Sequence, residues 1–396
     1  MQSGKVLAGR KEPGGVTSIS SSKASVKRAL NFSGGPATLP LSVLERVRDE
    51  LLDYRGTGMS VMEMSHRSAE FEEINSRAEQ LIRRLMGVPD DYAVIFLQGG
   101  GSMQFTMVPM NFYLPGKPVD VLHTGMWTAK AIAELQKTTP FRIAATSEPN
   151  KFRRIPSGEE IQLSPDASYV YMCSNNTIEG TQWNLFPETG DVPLVADMSS
   201  DILSRPVEVG RFGAIFAGAQ KNLGQSGVTV VIVRRDLAER ANPKLPSLLQ
   251  YRTEIKEHSL FHTPATFAVY ILALVLEWIE SQGGAEAFEK RNDAKAKLLY
   301  DALNSSALYK CPVEISSRSK MNVVFRLGDA DEDLEAQFAR QAGAEGIRGI
   351  VGHRSVGGMR VSLYNAVSLE SVEALVAFMK DFERKRGQAG RSSGAT

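Results

Sequence analysis

From residue 40 onward the apolar positions follow two alternating rhythms. Behind Pro40, which suits a first helical turn, Leu44, Val47, Leu51 and Tyr54 recur on one helical face. Phe71, Ile74, Ala78, Leu81, Ile82 and Leu85 repeat that spacing. Short, wholly apolar runs come next: AVIFLQ (93–98), VDVL (119–122), SYVYM (168–172), VPLVA (192–196) and GAIFA (213–217). Each closes on a polar or Gly-rich turn, and helix-like stretches alternate with them. Short strands of this kind, interleaved with helices, predict a parallel sheet covered on both faces. VTVVIVR (228–234) follows GAIFA after a link too short for a crossover helix, which predicts an antiparallel strand.

The stretch 267–279 is apolar nearly all round and predicts a buried helix. Past Gly284 the pattern changes. A helix near 285–303 precedes the strand MNVVFRL (321–327), a helix near 333–343 and the strand GMRVSL (358–363). A last helix carries Val372, Leu375, Val376, Met379 and Phe382 on one side. The expected fold class is α/β. A large, mostly parallel sheet domain with one antiparallel strand covers 41–283, and a smaller α+β domain takes 31–40 and 284–386. Residues 1–30 and 387–396 are polar and read as disordered extensions.

Composition narrows the function. The chain has 396 residues, 42% of them hydrophobic, enough for roughly two or three domains. Lys plus Arg total 46 against 45 acids, a net charge of +1, which argues against nucleic acid or an anionic membrane as the main partner. No apolar run approaches the ~20 residues of a membrane span. The two cysteines, Cys173 and Cys311, are far apart, and the five histidines form no HExxH, so neither a disulfide framework nor a metal centre is indicated. The first thirty residues are basic and Ser-rich, with Glu12 their single acid. Solvated tails and organelle transit peptides share that composition. The lack of an amphipathic Arg helix favours the tail, and with it a cytoplasmic location.

Several segments carry chemistry. QGGGSMQF (98–105) joins a buried strand to a helix, a place where backbone amides approach a phosphate. It matches neither dinucleotide nor P-loop patterns, and by itself is equally well a tight turn. Asp197 stands at the carboxyl end of one buried strand and Lys221 just past the end of the next, where open α/β sheets bind ligands. A Lys in an apolar setting forms Schiff bases, and a carboxylate facing a pyridine nitrogen keeps it protonated. Trp127, at the start of a helix, either stacks on a flat ring or packs in the core. Thr177 follows SYVYM and offers a hydroxyl at that strand end. His66–Arg67 and His353–Arg354, with Arg360 nearby, suit a substrate with more than one anionic group.

Together NFSGGPATLP, GMSVMEMSHR, FLQGGG, VADMSS, IFAGAQKN and GHRSVGGMRVSLYNA resemble the blocks of the phosphoserine aminotransferase family, fold-type I pyridoxal-phosphate enzymes of the class V aminotransferase group, over about residues 31–384. The resemblance implies that Lys221 holds pyridoxal 5'-phosphate as a Schiff base and Asp197 faces its pyridine nitrogen. It implies Trp127 as the stacking ring, Gly101, Ser102 and Gln220 around the phosphate, and Thr177 on the phenolic oxygen. Arg360 matches the α-carboxylate binder. His66, Arg67, His353 and Arg354 match residues around the substrate phosphate or the glutamate side chain. His262 and Thr263 match a segment that reaches the cofactor phosphate of the other subunit in a homodimer. The family often has Asn at the His262 position and Pro at Ala265. Some members have Arg at Ser102 and Ser at Gly34.

The implied reaction moves an amino group from glutamate to 3-phosphohydroxypyruvate, giving O-phosphoserine and 2-oxoglutarate, with the phosphohydroxythreonine pair as a further substrate to test. Rivals are a serine–pyruvate or alanine–glyoxylate aminotransferase, a cysteine desulfurase, and a phosphate-binding protein without covalent chemistry. His353–Arg354 speaks for a phosphorylated substrate, and Cys311 lies in no convincing desulfurase loop.

Overall fold

The computed structural model describes residues 28–392. Of the extension expected over 1–30, residues 1–27 lie outside the described residues, as do the last four, while Leu30 is already ordered in a parallel pair with Ile347. Helix α1 (Leu41–Glu50) is shorter than the periodicity predicts. Pro40 sits at its N-cap, and Val43 rather than Leu44 is its buried residue. Tyr54 is buried from a loop instead, where its N–H bonds the Met59 carbonyl. Helix α2 (Ala69–Met86) has the signals that make a helix end where it does. The Ser68 hydroxyl accepts from the Phe71 N–H, Glu70 and Glu72 lie in the first turn, Arg83 and Arg84 in the last, and Gly87 closes it in the left-handed region. Phe71, Ile74, Ala78, Leu81 and Ile82 face the core as their spacing requires.

The chain then lays down β1 (Tyr92–Leu97), α3 (Gly100–Phe112), β2 (Val119–His123), α4 (Met126–Thr138), β3 (Phe141–Thr146), β4 (Val170–Cys173), β5 (Leu194–Asp197), β6 (Ala214–Gly218) and β7 (Thr229–Arg234). These seven strands form one sheet in the order β1-β7-β6-β5-β4-β2-β3. The strand β7 is antiparallel to both neighbours, and every other pair is parallel. Strand β3 was not expected. It lies at the sheet edge and is paired on one side only, so its residues Phe141–Ile143 stay partly or fully exposed and no continuous apolar run marks it. Helix α5 (Thr266–Ser281) buries ten of its residues, as its all-round apolar sequence predicts.

Helix α6 (Gly284–Asn304), β8 (Asn322–Leu327), α7 (Glu332–Ala344), β9 (Met359–Ser362) and α8 (Leu369–Ser392) build the C-terminal part. There β8 pairs antiparallel with β9 and with the short strand Tyr309–Lys310. Phe32, Phe325, Phe338, Leu375 and Phe382 share its core, and Leu30–Asn31 pairs with Ile347–Arg348. Helix α8 continues to Ser392, so the disorder expected from 387 gives way to helical backbone up to that residue. Propagation adds one hydrogen bond per residue, and Gln388, Ala389 and Arg391 are good helix formers, although Gly387 and Gly390 are not. Among the described residues no helix is long and apolar enough to cross a membrane.

Buried amides join the two parts. Asn175 donates to Asn322 Oδ1 at 2.8 Å, and Asn365 donates to the Leu203 carbonyl at 2.9 Å. The fully buried Lys295 of α6 donates to three carbonyls, those of Leu363 (2.8 Å), Tyr364 (2.9 Å) and Val367 (3.0 Å), so one ammonium holds the turn after β9. Lys295→Met keeps the packing volume and strands those acceptors. A fall in unfolding free energy of roughly 2–4 kcal/mol is expected in urea titration, and an unchanged midpoint would show that water replaces the ammonium.

Candidate active site

Asp197 is the last residue of β5, and Lys221 lies three residues past the end of β6. Strand β1 ends at Leu97 and turns into α3 through Gln98 and Gly99. Because β7 runs antiparallel, its first residue Thr229 stands opposite both Leu97 and Gly218. That direction delivers residues 226–228 to the same place. These ends enclose a cavity of about 360 Å³ whose walls include Gly101, Ser102, Trp127, Asp197, Gln220 and Lys221. Six of the expected residues, spread over more than a hundred positions of chain, thus meet at the carboxyl ends of the sheet.

The electrostatics follow from enclosure. Asp197 is buried, and burial pushes its pKa above the ordinary carboxylate value, with Lys221 and Ser199 pulling the other way. The Ser199 N–H donates to Asp197 Oδ1 at 2.9 Å, and its hydroxyl accepts from the Gly218 N–H at 3.0 Å. Ser199 therefore ties the ends of β5 and β6 together and orients the carboxylate. Lys221 Nζ lies 5.2 Å from the centre of the Trp127 ring. The indole N–H donates to Thr177 Oγ1 at 2.9 Å. With an acceptor position of that hydroxyl engaged, its own proton is free to be donated into the cavity. Cys173 also lines the cavity, but burial raises its thiol well above the ordinary value and keeps it protonated and unreactive.

The floor of the cavity is the start of α3. Its N-cap is Gly99 at φ 88°, and no side chain caps the helix. The first-turn amides are left without a side-chain acceptor, the condition in which a helix N-terminus binds an anion. A Cβ on Gly99 would stand 2.6 Å from Met103 Cβ, so the turn needs glycine. Uncapped amides, a buried carboxylate, an amine and an indole form the donor set that pyridoxal 5'-phosphate requires, and the residues present fit it.

A second cavity of about 250 Å³ is lined by Glu179, Arg326, His353 and Arg360 among others. Arg360 comes from β9, and its Nη1 donates to the Thr177 carbonyl at 3.5 Å. Its Nε is buried with no partner among the described residues. A Cβ on Gly34 would overlap that guanidinium, so glycine at this position keeps the space clear for Arg360. His353 Nδ1 lies 2.7 Å from Ser355 Oγ. Burial lowers the pKa of His353, and the neighbouring cations Arg360, Arg354 and Lys130 lower it further. Thr177 links the two cavities, its hydroxyl on Trp127 and its carbonyl on Arg360.

Six expected residues line neither cavity, Thr177 among them, which bridges residues of both. Arg67 and Arg354 are exposed. His66 is half-buried, with Nε2 unpartnered among the described residues. Thr263 is exposed, its carbonyl accepting from Gln98 Nε2 at 3.2 Å, and His262 faces Glu254. Three contributors were not expected. They are Ser199, two residues past Asp197, Gly34 in the N-terminal block, and Glu179. The Glu179 carboxylate accepts from the Met126 N–H at 2.8 Å and so caps the helix that carries Trp127. Burial raises its pKa. A capping role depends on a contact between segments 53 positions apart, which no local pattern announces.

The class-V aminotransferase family matches residues 29–375. A phosphoserine aminotransferase of Lysinibacillus sphaericus is 53% identical over 361 residues, which are 91% of this chain and 99% of that protein. The solved phosphoserine aminotransferase of Bacillus circulans subsp. alkalophilus superposes with a TM-score of 0.89 at 50% identity, covering 91% of this chain and all of that one. The PLP-bound phosphoserine aminotransferase of Trichomonas vaginalis gives 0.86 at 39% identity over 89% of this chain and 100% of that one. With this fold and these residues at its strand ends, the chain belongs to the class-V aminotransferases, in their phosphoserine aminotransferase family.

Proposed function

We propose that this enzyme transfers the amino group of glutamate to 3-phosphohydroxypyruvate, forming O-phosphoserine and 2-oxoglutarate, with pyridoxal 5'-phosphate as cofactor. The observation that carries the reading is the Asp197–Lys221 pair at adjacent strand ends, above an uncapped helix start and beside a cavity lined by Arg360 and His353. When bound, the cofactor supplies the electron sink that lets an amino acid lose its α-proton. The residues of the chain do the rest. Asp197 accepts the pyridine N–H in a dry site, where the interaction is strongest. Trp127 covers one face of the ring and excludes water. Gly101, Ser102 and the first amides of α3 bind the phosphate, with Gln220 beside them. Thr177 donates its free proton to the phenolic oxygen.

Lys221 Nζ anchors the cofactor before substrate arrives. Freed by the substrate amine, it would act as the general base that takes the proton from the substrate Cα. Arg360 grips the α-carboxylate with its planar fork. His353 and Arg354 meet the distal anion, phosphate in one half-reaction and carboxylate in the other. His66 and Arg67 belong to the same anion site. Both stand outside this chain's cavities, which favours a homodimer in which surface residues complete the neighbouring site. The exposed Thr263 and its neighbour His262 then reach the neighbour's cofactor phosphate.

Lys221→Ala is expected to abolish turnover with the fold intact, and borohydride should trap no cofactor at position 221. A variant that still transaminates would sink this assignment. Arg354→Ala should lower kcat/KM for phosphoserine by about 10–100-fold while leaving serine little changed, because a charge-assisted bond is lost only with the phosphate. Equal losses for both substrates would mark Arg354 as structural. Mixing Lys221→Ala chains with Thr263→Ala chains tests the shared site. Random exchange makes roughly half the dimers mixed, each with one intact site, so about a quarter of the original activity should return. No recovery under verified exchange means that each chain supplies its own Thr263.

A further inference from the structure

The helical turn Tyr251–Lys256 carries a carboxylate that the mechanism above does not use. Glu254 is completely buried, and neither of its oxygens has a hydrogen-bond partner among the described residues. A buried carboxylate is costly unless it is paired. Its ion-pair partner is His262, whose Nδ1 lies 3.5 Å from Glu254 Oε1. That nitrogen is itself buried and otherwise unpartnered. The His262 side chain is 33% exposed, so with Nδ1 turned inward the accessible edge of the ring is the one bearing Nε2.

The loop between the two residues is pinned. The Ser259 N–H donates to the Glu254 carbonyl at 2.8 Å, and the Ser259 hydroxyl accepts from the Phe96 N–H of β1 at 2.8 Å. One residue past His262, the Thr263 carbonyl accepts from Gln98, the residue that leads into the anion-binding turn. His262 is therefore held against the sheet end with one possible inward partner and one outward edge.

We infer that Glu254 is a positioning residue for phosphate binding: it accepts from His262 Nδ1–H and stabilises the doubly protonated imidazole, whose outward Nε2–H then donates to a phosphate monoester dianion. The inference rests on the reading that His262 reaches the cofactor phosphate of the neighbouring subunit. An imidazole donating at both nitrogens is in its cationic form, and between a buried carboxylate and a dianion that form satisfies every group. An asparagine at 262 would donate to the same phosphate without needing Glu254, so the carboxylate matters only in company with the histidine.

The test is a cycle of Glu254→Gln and His262→Asn, measured as binding of pyridoxal 5'-phosphate to apoenzyme prepared from the full chain, with pyridoxal as the phosphate-free control. Glu254→Gln is expected to weaken the phosphate-bearing ligand about tenfold, to leave pyridoxal unchanged, and to have no effect in the His262→Asn background. Nitrogen-15 spectra of the imidazole should show both His262 nitrogens protonated in the holoenzyme and the Nδ1 signal shifted by Glu254→Gln. Equal weakening in both backgrounds, or of both ligands, makes Glu254 merely structural and overturns the inference. If His262→Ala leaves phosphate binding intact, the underlying reading of His262 fails. If His262→Ala weakens binding and Glu254→Gln does not, only the positioning role fails. Thermal melting of each apoprotein checks that the variants fold.

Discussion

The enclosure of one carboxylate at the end of a buried strand organises this protein. Asp197 stays in a dry site because β4 and β6 flank β5 and helices cover the sheet. Burial raises its pKa, Lys221 opposes that shift, and Ser199 holds the carboxylate in place through a backbone bond. The same enclosure that makes the charge costly makes its interaction with a cationic ring nitrogen strong. The cavity can hold such a group only where parallel strands end together, and β7, running the other way, closes the wall with residues 226–228.

Around that point the polar contacts form a connected chain. Glu179 caps α4, α4 carries Trp127, Trp127 donates to Thr177, and the Thr177 carbonyl accepts from Arg360. Arg360 stands on a strand of the C-terminal part, while the other members belong to the large sheet and its connections. Arg360 and Trp127 are thereby mechanically linked through one threonine. The buried pairs Asn175–Asn322 and Asn365–Leu203 hold the two parts in register so that the link is maintained.

Much of this was legible along the chain. The alternation of apolar runs with helical spacing identified six of the seven strands of the large sheet, and the short link before residue 228 identified the antiparallel one. The strand β3 escaped because an edge strand buries too little to leave an apolar run. Helix α1 ended early because Tyr54, although in phase with the helical face, reaches the core from a loop. The Asp197–Lys221 pair was visible because Asp197 directly follows one strand signal and Lys221 lies a few residues past the next.

The sequence by itself determined the period of each element, the turn chemistry at Gly99 and the residue types gathered at strand ends, since each depends on neighbours a few positions away. Tertiary structure alone decided that Ser199 joins two strands, that Gly34 makes room for Arg360, that Glu179 caps a distant helix and that Glu254 faces His262. Glu254 and His262, though only eight residues apart, are separated by an irregular loop with no period to reveal the contact. Which side chains share a cavity depends on the order in which strands pair, and that order is set by packing of the whole core rather than by any local pattern.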